Sequence, residues 1–120
     1  MDWKFRADQP IYTQLTAHLA EKIVAGAYTP GERLPSVRDL AVEAGVNPNT
    51  VQRALSDLER EGLVFSQRTN GRFVTENTEM IRNARFRMAD ERVERFLADM
   101  RQLGCTVEEV MKILKQEGTK

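Results

Sequence analysis

The chain has 120 residues, with 18 lysines and arginines against 18 acids, and 41% of it is hydrophobic. That length and composition fit one domain with a small appendage and a packed core, and they exclude wholesale disorder. Zero net charge excludes coating of nucleic acid by bulk charge but leaves room for a locally basic face.

Residues 1–9 read as extended, with Trp3 and Phe5 alternating with polar residues. They are too polar for a signal peptide. A first helix is expected from about Pro10, since proline is tolerated at the first helical position. Ile11, Leu15, Leu19 and Ile23 make its buried stripe, and Gly26 stops it. Pro30-Gly31 suits a type II turn, and Arg33-Leu34 suits a very short strand. A second helix starts at Ser36, with Asp39 placed for a capping box, and ends at Gly45. Asn47 is the expected cap of a third helix with Pro48 at its first position. Val51, Ala54, Leu55 and Leu58 form the buried face of that helix, and Gly62 closes it.

Leu63 to Gln67 and Arg72 to Thr75 then read as two strands joined by a hairpin at Asn70-Gly71. Thr78 is placed to cap a long helix that runs to about Leu103 and stops at Gly104. A short last helix follows, with a Thr106/Glu109 capping box. The fold class is therefore mainly α with a small β-hairpin. It divides into a winged helix-turn-helix domain over residues 1–76 and a two-helix dimerisation tail over 77–120.

Catalytic chemistry finds little support. The sequence has no Gly-rich phosphate loop, no histidine pair for a metal and only one cysteine, Cys105. The single histidine, His18, lies in a helical run and reads as a packing or surface residue. Glu108-Glu109 and Asp90-Glu91 read as solvated helix faces. No catalytic residue, metal or cofactor is expected. One cysteine and no apolar run of membrane length fit a reducing, cytoplasmic setting.

On the third helix, Asn49, Arg53, Ser56 and Arg60 lie opposite the apolar face, with Gln52 on the flank. Asn, Gln and Arg are the side chains that form paired hydrogen bonds to base edges in a major groove. Thr50 and the backbone N–H groups near Asn47 suit phosphates. Arg38 sits at the start of the second helix, and Arg68, Asn70, Gly71 and Arg72 at the wing. Polar residues opposite an apolar stripe occur on any surface helix. The distribution of acids is more telling: residues 44–56 and 62–75 contain none.

The run PGERLPSVRDLAVEAGVNPNTVQRALSDLEREGLV, with TNGRFV after it and PIYTQL before it, resembles the GntR family of bacterial winged-helix transcription regulators. The resemblance covers roughly residues 9 to 75. It implies a backbone contact for Arg38, recognition-helix contacts for Asn47, Asn49, Thr50, Gln52 and Arg53, and a wing-tip place for Gly71. Many relatives carry a basic or hydroxyl residue where Pro48 and Asn49 stand here. The short helical tail resembles the YtrA-like subfamily, whose tail is implied to dimerise the protein and whose members are often linked to export transporter operons.

The tail itself points the same way. On the long helix, Ile81, Ala84 and Met88 form one apolar sector. Phe86, Val93, Leu97 and Met100 form another about 130–160° away, with Phe96 and Leu103 between. Two sectors need two partners. Phe86, Val93, Phe96, Leu97, Met100, Leu103, Val110, Met111 and Leu114 are the expected dimer residues. Met80, Met88, Met100 and Met111 with Phe86 and Phe96 are the types that line an adaptable cavity for a small-molecule effector at a dimer interface, though such residues are more often plain core. An inert thiol is the expectation for Cys105.

The expected function is sequence-specific binding of double-stranded DNA at a palindromic operator by a homodimer that represses transcription, with domain motion about Thr75–Thr78. The competing readings are a winged-helix protein-interaction module, and the DNA-binding head of a larger effector-bearing or aminotransferase-fused regulator. The ending at Lys120 after a capped helix argues against the latter.

Overall fold

A computed structural model describes residues 3–118. The first two residues of the segment expected to be extended, and Lys120, lie outside the described residues. The elements in order are α1 (Ile11–Val24), α2 (Val37–Ala44), α3 (Pro48–Arg60), β1 (Val64–Gln67), β2 (Gly71–Val74), α4 (Thr78–Gln102) and α5 (Val107–Gly118). The chain forms two compact units, which divide inside α4 between Arg85 and Phe86.

In the first unit α3 packs against both α1 and α2. The stripe read from α1 is buried at Leu15, Leu19 and Ile23, while Ile11 stays 45% exposed. Pro10 is the cap of α1 rather than its first helical residue. Val51, Ala54, Leu55 and Leu58 of α3 are all buried, opposite Leu40, Ala41 and Ala44 of α2. Each such leucine contributes about 1.5–3 kcal/mol by leaving water. These contacts fix the angle of the helix-turn-helix.

Gly45 ends α2 in the left-handed region, at φ 68° and ψ 38°. The N–H of Val46 then reaches the carbonyl of Ala41 at 3.0 Å. A side chain at this φ costs energy, so glycine is what lets the chain turn within three residues. Ser36 caps α2 by accepting from the Asp39 N–H at 3.0 Å, and Asn47 caps α3 by accepting from the Asn49 N–H at 2.8 Å.

The wing is a two-stranded sheet with a third short segment along one edge. Val64 pairs with Val74 and Gln67 with Gly71 in an antiparallel register. A residue pair also bridges Arg33 to Phe73. Around it, Leu34 N–H donates to the Arg72 carbonyl at 2.8 Å and Val74 N–H to the Glu32 carbonyl at 2.9 Å. The Arg33-Leu34 segment thus lies along the outer edge of β2. It is delivered by the turn at Pro30-Gly31, closed by Glu32 N–H on the Thr29 carbonyl at 3.0 Å.

The hairpin itself departs from the sequence reading. The loop is Arg68–Asn70, a single 3₁₀ turn of three residues, and Gly71 opens the second strand. Leu63 is not in the first strand, because its N–H is spent on the Leu58 carbonyl at the end of α3.

The start of α4 belongs to the first unit. Ile81 and Ala84 are buried, and Arg85 Nε donates to the Val24 carbonyl at 2.8 Å. Asn77, not Thr78, caps the helix, with Oδ1 accepting from Met80 N–H at 3.1 Å. Thr75 N–H donates to Leu63 O at 2.9 Å, and Thr75 Oγ1 accepts from Asn77 N–H at 3.1 Å. The Thr75–Thr78 segment expected to act as a pivot is therefore tied on both sides.

In the second unit, the Thr106/Glu109 box forms as expected. Thr106 N–H donates to Glu109 Oε1 at 2.9 Å, and Glu109 N–H donates to Thr106 Oγ1 at 3.2 Å. Thr106, through its backbone N–H first and its side chain second, holds the Glu109 carboxyl below its usual range.

Candidate nucleic-acid interface

The candidate surface starts from the N-terminal half of α3. Its first turn carries no acid, and its acids, Asp57 and Glu59, stand in the other half. Asn47, Asn49, Gln52 and Arg53 are exposed and Thr50 is half-buried. Arg38 is exposed on the first turn of α2. The positive end of the α3 dipole adds to this side.

The backbone N–H groups expected to meet phosphates here are largely taken. Asn49 N–H is held by Asn47 Oδ1. Those of Thr50 and Val51 go to the Asn47 carbonyl at 2.9 and 3.3 Å, and Pro48 has none. Side chains, not a bare helix terminus, carry the chemistry of this surface.

Asn49, Thr50 and Arg53 share a hollow of about 380 Å³ with Ile11 and Tyr12 of α1. The Arg53 guanidinium carbon sits 3.6 Å from the centre of the Tyr12 ring. Sequence reasoning placed nothing of α1 at this site. An aromatic one position into a helix carries no signal of the arginine it will meet, since the two are brought together by α1–α3 packing. Arg60, also on the polar side of α3, is paired with Asp57 at 2.7 Å.

On the wing, Arg68, Thr69 and Asn70 are exposed, and Arg68 adopts φ 32°. Gly71 has φ 101° and ψ −158°. A Cβ there would lie 3.2 Å from Arg33 Nε, so the guanidinium of Arg33 rests directly against the glycine. Arg33 is exposed and joins Arg68 as a second cation of the wing. The short-strand reading of Arg33-Leu34 had its place in the sheet but not its neighbourhood with Gly71.

Arg72 is the residue that moves out of the expected set. Alternation puts Arg72 and Ser66 on the same face of the hairpin as the buried pair Val64 and Val74. Arg72 Nε donates to Glu59 Oε1 at 2.7 Å, and Ser66 Oγ donates to the same oxygen at 2.6 Å. Ser66, then Arg72, hold the Glu59 carboxyl below the usual range against a smaller effect of burial. Arg72 thus ties the wing to the end of α3 instead of standing free at the tip.

His18 has the packing role expected of it. Its ring meets those of Trp3 and Phe5 edge-on at 6.0 and 5.7 Å. Gln14, which the sequence did not single out, is buried. It accepts from Arg6 N–H at 2.6 Å and donates to the carbonyls of Arg6 and Gln9, holding the N-terminal segment on α1.

The second unit shows apolar residues without a core to receive them. Phe86, Val93, Phe96, Leu103, Met111 and Leu114 are 40–73% exposed, and so are Val107 and Ile113. Leu97 and Met100 are half-buried. Val110 corrects the expected dimer set, being only 3% exposed within its own chain. Met80 leaves the expected effector cavity, because its Sδ lies over Gly62 in the first unit. Cys105 is a free, half-buried thiol. No helix among the described residues is long and apolar enough to cross a membrane.

Comparisons with known proteins bear on this arrangement. Residues 11–74 match the family described as bacterial regulatory proteins, gntR family. The chain is 37% identical over 115 residues to the uncharacterized HTH-type transcriptional regulator YhcF of Bacillus subtilis, covering 96% of this chain and 95% of that one. It is 33% identical over 112 residues to the HTH-type transcriptional repressor YtrA of Bacillus subtilis, covering 92% and 86%. Among solved structures, a GntR family transcriptional regulator from Listeria monocytogenes superposes with a TM-score of 0.86 at 34% identity, covering 93% of this chain and 98% of that one. The AraR DNA-binding domain, solved in complex with operator ORX1, superposes with a TM-score of 0.54 at 30% identity, covering 56% and 81%.

Proposed function

The chain belongs to the gntR family of bacterial regulatory proteins, and from that premise we propose that it is a DNA-binding transcriptional regulator acting as a homodimer on an inverted-repeat operator. The observation that carries the reading is the acid-free first half of α3, exposing Asn49, Gln52 and Arg53. These three side chains have the donor and acceptor geometry for base edges. Arg38 on α2, and Arg33 with Arg68 on the wing, supply phosphate contacts that fix register.

The second unit supports dimerisation. Eight large apolar residues between Phe86 and Leu114 are well exposed there, against one buried, Val110. A second copy is the occupant this reading commits to, since a two-fold axis lets one patch cover itself. Two recognition helices would then meet half-sites about one helical turn apart. The relative named a repressor supports repression by occlusion of a promoter.

A salt series tests the reading. If the dimer neutralises about 6–8 phosphates, log affinity falls against log salt with a slope of roughly −5 to −7. Arg53→Ala lowers affinity for the bound sequence while leaving that slope within about one unit. A slope near zero contradicts DNA binding through this surface.

A further inference from the structure

We propose that Tyr12 of α1 is a specificity-positioning residue, acting through Arg53 of α3; the proposal rests on the DNA-binding reading above. Arg53 is exposed, and its guanidinium makes no hydrogen bond or ion pair among the described residues. Its guanidinium lies against the face of the Tyr12 ring, at 3.6 Å from Cζ to the centroid. That is van der Waals contact over the middle of the ring, where the π-face attracts a cation.

The consequence is geometric. A guanidinium carries five N–H donors in a rigid planar fork and reads guanine through two of them. Contact over an aromatic face uses none of these donors. It restricts the long side chain to few rotamers and leaves the fork available. An arginine already held this way loses less freedom when it docks than one that sweeps through solvent. Tyr12 can act as such a platform because the helix holds its backbone and its side chain is partly packed. It is half-buried in the first turn of α1, and Thr16 Oγ1 donates to its carbonyl at 2.8 Å. The same ring lines the hollow shared by Asn49 and Thr50, so the platform stands inside the recognition surface. α1 therefore contributes to discrimination between sequences without offering a hydrogen bond to a base.

The test begins with selection from a random DNA pool by the full wild-type chain. The probes are an enriched duplex of about 30 bp, long enough for two half-sites, and a shuffled duplex of the same composition. Affinities for both are measured with wild type, Tyr12→Phe, Tyr12→Leu, Arg53→Ala and the Tyr12→Leu/Arg53→Ala double variant. Thermal melts report folding, and Tyr12→Gln replaces the leucine variant if the latter melts early.

Tyr12→Leu is expected to lower the enriched-to-shuffled affinity ratio about three- to tenfold, with affinity for the shuffled duplex unchanged. Tyr12→Phe keeps the ratio within about twofold, because the ring face remains. In the Arg53→Ala background, Tyr12→Leu changes the ratio by less than about twofold, since the contact it would remove is gone. An unchanged ratio in a well-folded Tyr12→Leu, or an equal loss with and without Arg53, overturns the proposal. Failure of wild type to enrich any sequence would remove the DNA-binding reading and the proposal together. Enrichment by wild type with an indifferent Tyr12→Leu would remove only the role of Tyr12.

Discussion

At the scale of the residue, two arginines on neighbouring elements have opposite fates. Arg53 lies exposed against an aromatic ring, while Arg72 is turned inward onto Glu59 at 2.7 Å. Both were read from the sequence as DNA contacts. The difference was legible in part: Val74 is apolar, and the two-residue period of a strand puts Arg72 on the same side. The partner was not legible, since Glu59 lies 13 residues away and reaches Arg72 only because the hairpin folds back on α3.

The Glu59 cluster gives a pH prediction. Its carboxyl is lowered by Ser66 and Arg72. A lowered folded value means the cluster stabilises fully above the ordinary glutamate range of about 4.3 and is lost as pH falls through the folded value. Thermal melts of wild type should therefore show part of their acid destabilisation below about pH 4.3, and Glu59→Gln should show less of it while being less stable at pH 7. Equal loss in wild type and Glu59→Gln on going from neutral to acid pH would contradict this.

At the scale of the element, three of the helix caps were legible, while that of α4 fell on Asn77 instead of Thr78. Ser36 and Asn47 accept from N–H groups of their helices, and the Thr106/Glu109 box forms both its hydrogen bonds, because capping is settled within one helical turn; the shorter Asp39 side chain does not complete a box with Ser36. Asn47→Ala should cost about 1 kcal/mol by denaturant unfolding, as loss of a side-chain cap at α3. The wing was read less well. The strand bounds read from the sequence left residues 68–71 as the connection, yet the register pairs Gly71 with Gln67 and leaves Arg68–Asn70 as the loop. Pairing of β2 with the 31–34 segment on its other edge helps set that register, and a distant segment is invisible to local pattern. Gly71 nonetheless earns its place: φ 101° with ψ −158° is a region open almost only to glycine. Gly71→Ala should destabilise by about 1–3 kcal/mol. It should also displace Arg33, whose Nε would lie 3.2 Å from the new Cβ. Denaturant unfolding and DNA affinity together check it, and an unchanged affinity would show that Arg33 and the wing loop do not touch DNA.

At the scale of the whole molecule, the charge balance takes on a narrower meaning. Nine basic and nine acidic residues stand on each side of the division after Thr75, so neither part is basic. Binding must then come from local placement. The acids Asp57, Glu59 and Glu61 gather in the second half of α3 and beyond, two of them neutralised by Arg60 and Arg72. Low overall charge also restrains non-specific binding. The second unit was legible as a surplus of apolar residues, but which of them the chain covers itself was not. Val110 is buried and Leu114 is 54% exposed, although both fall on the apolar side of α5. Leu114→Glu with Phe96→Glu should shift the protein from dimer to monomer in sedimentation at micromolar concentration. It should also reduce the salt slope by about half, since one protomer contacts half the phosphates.

The most direct measurement is selection of bound duplexes from a random DNA pool by the full chain. A homodimer presenting α3 and the wing should enrich an inverted repeat whose half-sites lie about 10 bp apart, centre to centre. Arg53→Ala should relax the preference at one base pair in each half-site. Enrichment of no sequence, or of a single half-site without its inverted partner, would contradict the account.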